Sequence, residues 1–143
     1  MRKKNRDAKR RGIGIDMQLI SDFPRYTAMS RDRFYHSVFT EKEIAYCTAK
    51  ADPRQHFAAR RAGKNAARKA IGDQFFDLKE IEITNEEDGH PIVKIGSTGK
   101  KVIISLSHTD THAIAIAYGN VSTGIYRRFG KKISSADCGG ISR

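Results

Sequence analysis

Hydrophobic positions along the chain fall into short runs with two different periods. Gly12-Ile-Gly-Ile-Asp16 reads as a short buried strand ending in a carboxylate, its two glycines allowing close backbone approach. Over 18–37, Leu19, Ile20, Phe23, Tyr26 and Met29 recur at roughly helical spacing, and Pro24 marks a first turn or a break. Thr40-Glu-Lys-Glu43 has the pattern of a capping box and predicts a helix running through Cys47. Residues 55–71 predict the clearest helix: alanine dominates, and Gly72 stands where a helix stops. Ala59, Gly63, Ala66 and Ala70 give it a small-residue stripe suited to close packing on a sheet, while Arg61, Asn65, Arg68 and Lys69 project from a different face. Alternation over 80–84 and 91–95 predicts a hairpin, and a second is expected from 101–107 and 112–118 around His108 to Thr111. The fold class is α+β, with helices packed on a mainly antiparallel sheet.

Composition narrows the picture. At 143 residues, 38% hydrophobic and 30% charged, the chain suits one globular domain, expected over 12–120 between tails 1–11 and 121–143. No apolar run approaches the ~20 residues of a membrane span, and no signal-peptide pattern is seen, so a cytoplasmic location is expected. Cys47 and Cys138 form no Cys-x-x-Cys pair, which argues against a disulfide framework or a structural zinc site. The net charge of +11 is concentrated at the ends. Residues 1–11 carry seven Lys/Arg against Asp7, and residues 127–143 carry five against Asp137, leaving the core nearly neutral. Such tails are solvated or touch RNA, an acidic protein or lipid head groups. A nucleic-acid role finds no support in an RNA-binding aromatic motif.

Four places carry chemistry-bearing residues. Asp16 is either a loop-capping carboxylate or a hard-oxygen ligand for magnesium. Lys64, Arg68 and Lys69 are either a solvated helix face or a holder of several phosphates. Ser105-Leu-Ser107-His108-Thr109 runs from a strand into a His-containing turn, which suits either a structural role or a phosphate. Arg25, Arg31 and Arg33 are either solvated or the receiving surface for an acidic partner. A phosphate-binding P-loop is absent, and Gly12-x-Gly14 lacks the third glycine of a dinucleotide fold.

Taken in order, these segments resemble the holo-[acyl-carrier-protein] synthase family, the short single-module 4′-phosphopantetheinyl transferases. The likeness rests on GIGID at 12–16, FTEKEIAYC at 39–47, FAARRAGKNAARKAIG at 57–72, NEEDGHPIV at 85–93 and ISLSHT at 104–109. It implies the 4′-phosphopantetheinyl transferase fold with one module per chain, and a homotrimer with active sites between subunits. It also implies a reaction that serves fatty-acid biosynthesis: with magnesium, a serine of an acyl carrier protein attacks the β-phosphate of coenzyme A, and 3′,5′-ADP leaves. By the same resemblance Asp16 is a metal ligand and Lys69 holds the phosphates and protonates the leaving group. Lys64, Ser107, His108 and Arg60 grip coenzyme A, and Arg25, Arg31 and Arg33 face the carrier protein.

The chain departs from the family pattern at Asn65. The motif Lys-Glu-Ala, whose Glu is a magnesium ligand, here reads Lys64-Asn65-Ala66. An amide offers a carbonyl oxygen but no charge. At an effective dielectric of ~20, losing one charge contact at about 4 Å removes on the order of a few kcal/mol. A relative that binds coenzyme A or a carrier protein without efficient transfer is therefore the alternative reading. Asp22 also stands where the family has an arginine.

Overall fold

The computed structural model describes residues 11–26, 33–72, 76–97 and 100–120. Strand β1 (Arg11–Leu19) leads through a 3-10 turn (Ile20–Asp22) to helices α1 (Arg33–Val38), α2 (Glu41–Thr48) and α3 (Pro53–Ile71). A second 3-10 turn (Leu78–Glu80) precedes β2 (Ile81–Asn85), β3 (Pro91–Ile95), β4 (Val102–His108) and β5 (His112–Asn120). Where one sheet was expected there are two: β1-β5-β4 with β5 central, and the hairpin β2-β3, all antiparallel. No helix among the described residues is long and apolar enough to cross a membrane. Met29, Arg31, Cys138 and the tails 1–10 and 121–143 lie outside the described residues.

Helix α3 is the axis of the fold. Asp52 caps its start by accepting from the Arg54 backbone N–H, Pro53 occupies the first turn, and Gly72 closes it at φ 73°. Its buried face is rich in alanine, with Ala58, Ala59, Ala62, Ala66, Ala67 and Ala70, and the strand it lies along returns the same chemistry: Ala113, Ala115 and Ala117 of β5 point inward. Small residues on both sides bring helix and sheet close. Gly14 takes this furthest, since a Cβ there would stand 1.9 Å from the carbonyl oxygen of Ala66. Gly63 faces the sheets as well, with Ile83, Ile104 and Leu106 filling the space above it. A glycine in mid-helix thus has a packing reason.

Two apolar clusters divide the core. One joins the C-terminal half of α3 to both sheets. The other is aromatic, with Phe23, Tyr35, Phe39 and Phe57 packed around the N-terminal half of α3 by α1 and α2. The capping box of α2 forms as expected, Thr40 and Glu43 each bonding the other's backbone N–H.

Two expectations are corrected. Within the mixed 18–37 segment, 18–19 finish β1 and a 3-10 turn buries Ile20, so Leu19 and Ile20 do not lie on an α-helix, while Arg33–Val38 form α1. Strand β1 continues to Leu19, so Asp16 lies within the strand, and only one of its faces is covered. On the other face Ile13, Ile15, Met17 and Leu19 align with Ile114, Ile116 and Tyr118 of β5 and Ile103 of β4, all exposed, Ile103 by 72%.

Candidate active site

The alternation of β1 turns Asp16 and Gln18 toward α3, and the missing Cβ of Gly14 lets the helix backbone come against the strand. Asn65 and Lys69, one residue before and three after Ala66, therefore meet Asp16. Lys69 Nζ lies 3.1 Å from Asp16 Oδ1 and donates at 2.8 Å to the Ile15 carbonyl. Asn65 Nδ2 donates to Asp16 Oδ2 at 3.2 Å, and Gln18 Nε2 to the same oxygen at 2.6 Å. Arg68 donates to Asn65 Oδ1 at 3.3 Å. Residues far apart in sequence thus converge on one carboxylate. Gln18 escaped sequence reasoning, although its position two residues after Asp16 on a strand puts it on the same face.

The donor set is not that of a resident magnesium site. It holds one carboxylate, already paired with an ammonium group, and two amides that turn N–H toward that carboxylate. Among the described residues no group of three His, Cys, Asp or Glu is placed to hold a metal. A hard dication favours several anionic or carbonyl oxygens, and here the Asn65 oxygen is engaged by Arg68.

Lys64 does not join this cluster, which corrects the shared phosphate-holding face expected for Lys64, Arg68 and Lys69. Its side chain is 0% exposed, with Nζ 2.5 Å from Glu43 Oε2 and donating to the Val38 and Leu78 carbonyls at 2.6 and 3.1 Å. Burial pushes its pKa below the ordinary lysine value, and Glu43 opposes that shift. Glu43 also accepts from the backbone N–H groups of Thr40 and Ile83. Lys64 is thus a tie between helices and hairpin. Glu43 was read in the sequence only as a cap.

A second cluster gathers at the N-terminal half of α3. The Arg60 guanidinium lies 3.8 Å from the centre of the Tyr46 ring, Lys50 Nζ lies 4.4 Å from it, and Arg60 donates to Asn85 Oδ1 at 2.8 Å. Arg60 Nε is buried without an acceptor. His56 stands between Tyr46 and His108, its ring centre 5.9 and 6.1 Å from theirs. Burial lowers the His56 pKa, and the cations Arg60 and Lys50 lower it further. His56 was not singled out from the sequence, though its place one turn before Arg60 on α3 is the signal that would have found it. His108 thus joins Arg60, while Ser107, its neighbour on β4, points to the opposite, apolar face beside Ile114.

Of the three arginines expected to meet a partner, Arg25 and Arg33 are exposed, and Arg31 lies outside the described residues. Arg25 lines an open cleft of about 390 Å³ with Tyr26, Ala51, Asp52, Pro53 and Arg54.

An α3-braced antiparallel sheet carrying a carboxylate–lysine pair and a separate Arg/His cluster defines a class. Residues 12–117 match the model of the 4′-phosphopantetheinyl transferase superfamily. Within that superfamily the chain belongs to the holo-[acyl-carrier-protein] synthase family. It is 40% identical over 105 residues to the holo-[acyl-carrier-protein] synthase of Thermodesulfovibrio yellowstonii, covering 73% of this chain and 93% of that protein. To the Chlamydia muridarum synthase it is 35% identical over 120 residues, covering 78% and 95%. The crystal structure of the Bacillus anthracis synthase in complex with CoA (3′,5′-ADP) superposes with a TM-score of 0.64 at 29% identity, over 78% of this chain and 96% of that one.

Proposed function

We propose that this chain transfers the 4′-phosphopantetheine arm of coenzyme A to a serine of an acyl carrier protein of fatty-acid synthesis in the cytoplasm, residues 12–120 forming the working domain. The observation that carries this reading is the Asp16–Lys69 pair, set where β1 meets α3 in a chain of this family. The serine hydroxyl gives its proton to water as its oxygen bonds to the β-phosphorus, the bond from that phosphorus to the bridging oxygen breaks, and 3′,5′-ADP leaves. Lys69, more than half exposed and steadied by Asp16, offsets the charge gathering on the leaving phosphate and gives it a proton. Arg60 and His108 take the 3′-phosphate. Arg25, Arg31 and Arg33 receive the acidic carrier. Magnesium would be carried on coenzyme A's own phosphates as their counter-ion, where it would neutralise part of their charge.

The assembly is a homotrimer. The apolar face of β1-β5-β4 favours this reading, because a row of exposed Ile and Met calls for a cover. Ser107 on that face then approaches a neighbouring subunit's site. Asn65 favours a second reading, a binder of coenzyme A with weak transfer.

Intact mass spectrometry of an apo carrier protein incubated with coenzyme A, magnesium and this chain separates the two. The transferase adds one phosphopantetheine arm over many turnovers. The binder is instead stabilised thermally by coenzyme A and leaves the carrier mass unchanged. In the same assay Asn65→Glu is expected to tighten magnesium binding in a calorimetric titration. Unchanged metal affinity would show that Asn65 does not face the metal.

A further inference from the structure

We infer that Arg61 and Arg68 bind the pyrophosphate of coenzyme A directly, so that the protein's own guanidinium groups supply charge that a second metal-bound carboxylate would otherwise bring in through the ion. The inference rests on the transferase reading above and names how its site handles the phosphates.

Arg61, Asn65, Arg68 and Lys69 share one face of α3, since steps of three and four residues align on a helix. All four are at least partly exposed, while every other residue of α3 from Phe57 onward is buried. Of the four, Asn65 and Lys69 bond Asp16, and Arg68 is linked to it through Asn65. Neither Arg61 nor Arg68 has a carboxylate partner among the described residues. Lys69 on Asp16 and Arg68 on Asn65 therefore set two cations beside one anion at the place where the family's metal is expected, with Arg61 one turn earlier on the same helix face. Such a field repels a dication and attracts a doubly charged phosphate group.

The Arg61 side chain is also held ready. Its guanidinium centre lies 5.1 Å from the Phe34 ring and 5.9 Å from the Phe23 ring, and its Nε is shielded from solvent with no acceptor. Stacking on aromatic rings fixes a guanidinium without consuming its N–H fork, which matches pairs of phosphate oxygens. Arg68, one turn beyond Asn65, holds the amide oxygen and blocks it from serving a metal.

Calorimetric binding of coenzyme A and of adenosine 3′-phosphate to the full chain, in EDTA and in magnesium, tests this. Adenosine 3′-phosphate carries no pyrophosphate. The wild type is expected to bind coenzyme A in EDTA. Arg61→Leu should weaken that binding by about tenfold or more, leave adenosine 3′-phosphate unchanged, and regain part of the loss with magnesium. Arg61→Lys should fall between. Equal weakening of both ligands would mean a structural role and overturn the inference. So would unchanged coenzyme A affinity, or wild-type binding that vanishes in EDTA. Should Arg61→Leu melt at room temperature, Arg61→Lys and Arg68→Gln carry the same contrast. If the transferase reading alone fails, carrier mass stays constant while these binding contrasts persist. If the clamp alone fails, the mass gain persists and the contrasts vanish.

Discussion

Gly14 and Gly63 look alike in the sequence, as glycines on paired surfaces, yet the structure gives them different roles. A Cβ on Gly14 would collide with the backbone of Ala66, which cannot move without shifting α3. Gly14→Ala is expected to destabilise by about 3 kcal/mol and to separate Asp16 from Lys69. A Cβ on Gly63 would stand 2.6 Å from Ile83 Cδ1 and 2.8 Å from Ile104 Cδ1, the ends of rotatable side chains. Helix propensity favours Ala there by ~1 kcal/mol. Gly63→Ala should therefore change stability by less than Gly14→Ala in denaturant melts of the two variants. Cys47 gives a second contrast. Burial pushes its thiol up to about 12, so almost no thiolate exists at neutral pH. In a Cys138→Ser background it should resist maleimide until the protein is unfolded. Labelling of the native chain would mean that α2 opens readily.

At the scale of elements, the lysines on α3 divide by the direction each leaves the helix. Lys64 turns inward to Glu43, and Lys69 turns to the partly exposed Asp16. Removing one partner of a buried pair strands the other charge, a cost of ~3–5 kcal/mol, whereas an exposed pair contributes about 0–1 kcal/mol. Lys64→Met should thus lower the unfolding midpoint far more than Lys69→Met, while Lys69→Met should cost transfer activity. Equal loss of stability in both would show that the Glu43 tie is not a main brace of the α2–α3–hairpin junction. The cap of α2 and the Gly72 stop of α3 were legible because each is a local pattern, whereas the Asp52 cap was missed and α3 starts at Pro53, two residues before the expected start. The inward path of Lys64 was not legible. Helical spacing gives a residue's angle on its own helix and not which neighbour occupies that side.

At the scale of the whole molecule, the proposed homotrimer rests on the apolar face of β1-β5-β4. Ile15 pairs with Ile116 at its middle, both about half exposed. If the proposed trimer closes on this face, Ile116→Glu should yield monomers in sedimentation and abolish transfer while leaving the fold intact. A variant that still sediments as a trimer would place the subunit contact elsewhere. The strand pattern was readable from alternation, and β5 repeats it over its whole length. Alternation identifies two faces without saying which is covered, so GIGID read as buried although half of it is open. By itself the sequence determined the α+β class, the body and end of α3, both hairpins and the presence of Asp16, Asn65 and Lys69, because caps, periodicity and turn residues act over a few neighbours. The tertiary structure alone decided that Asp16 meets Lys69, that Lys64 is buried on Glu43, that Ser107 and His108 face apart, and that Arg61 stacks on Phe23 and Phe34. Those contacts join residues distant along the chain, and only the packing of α3 on the sheet fixes their distances.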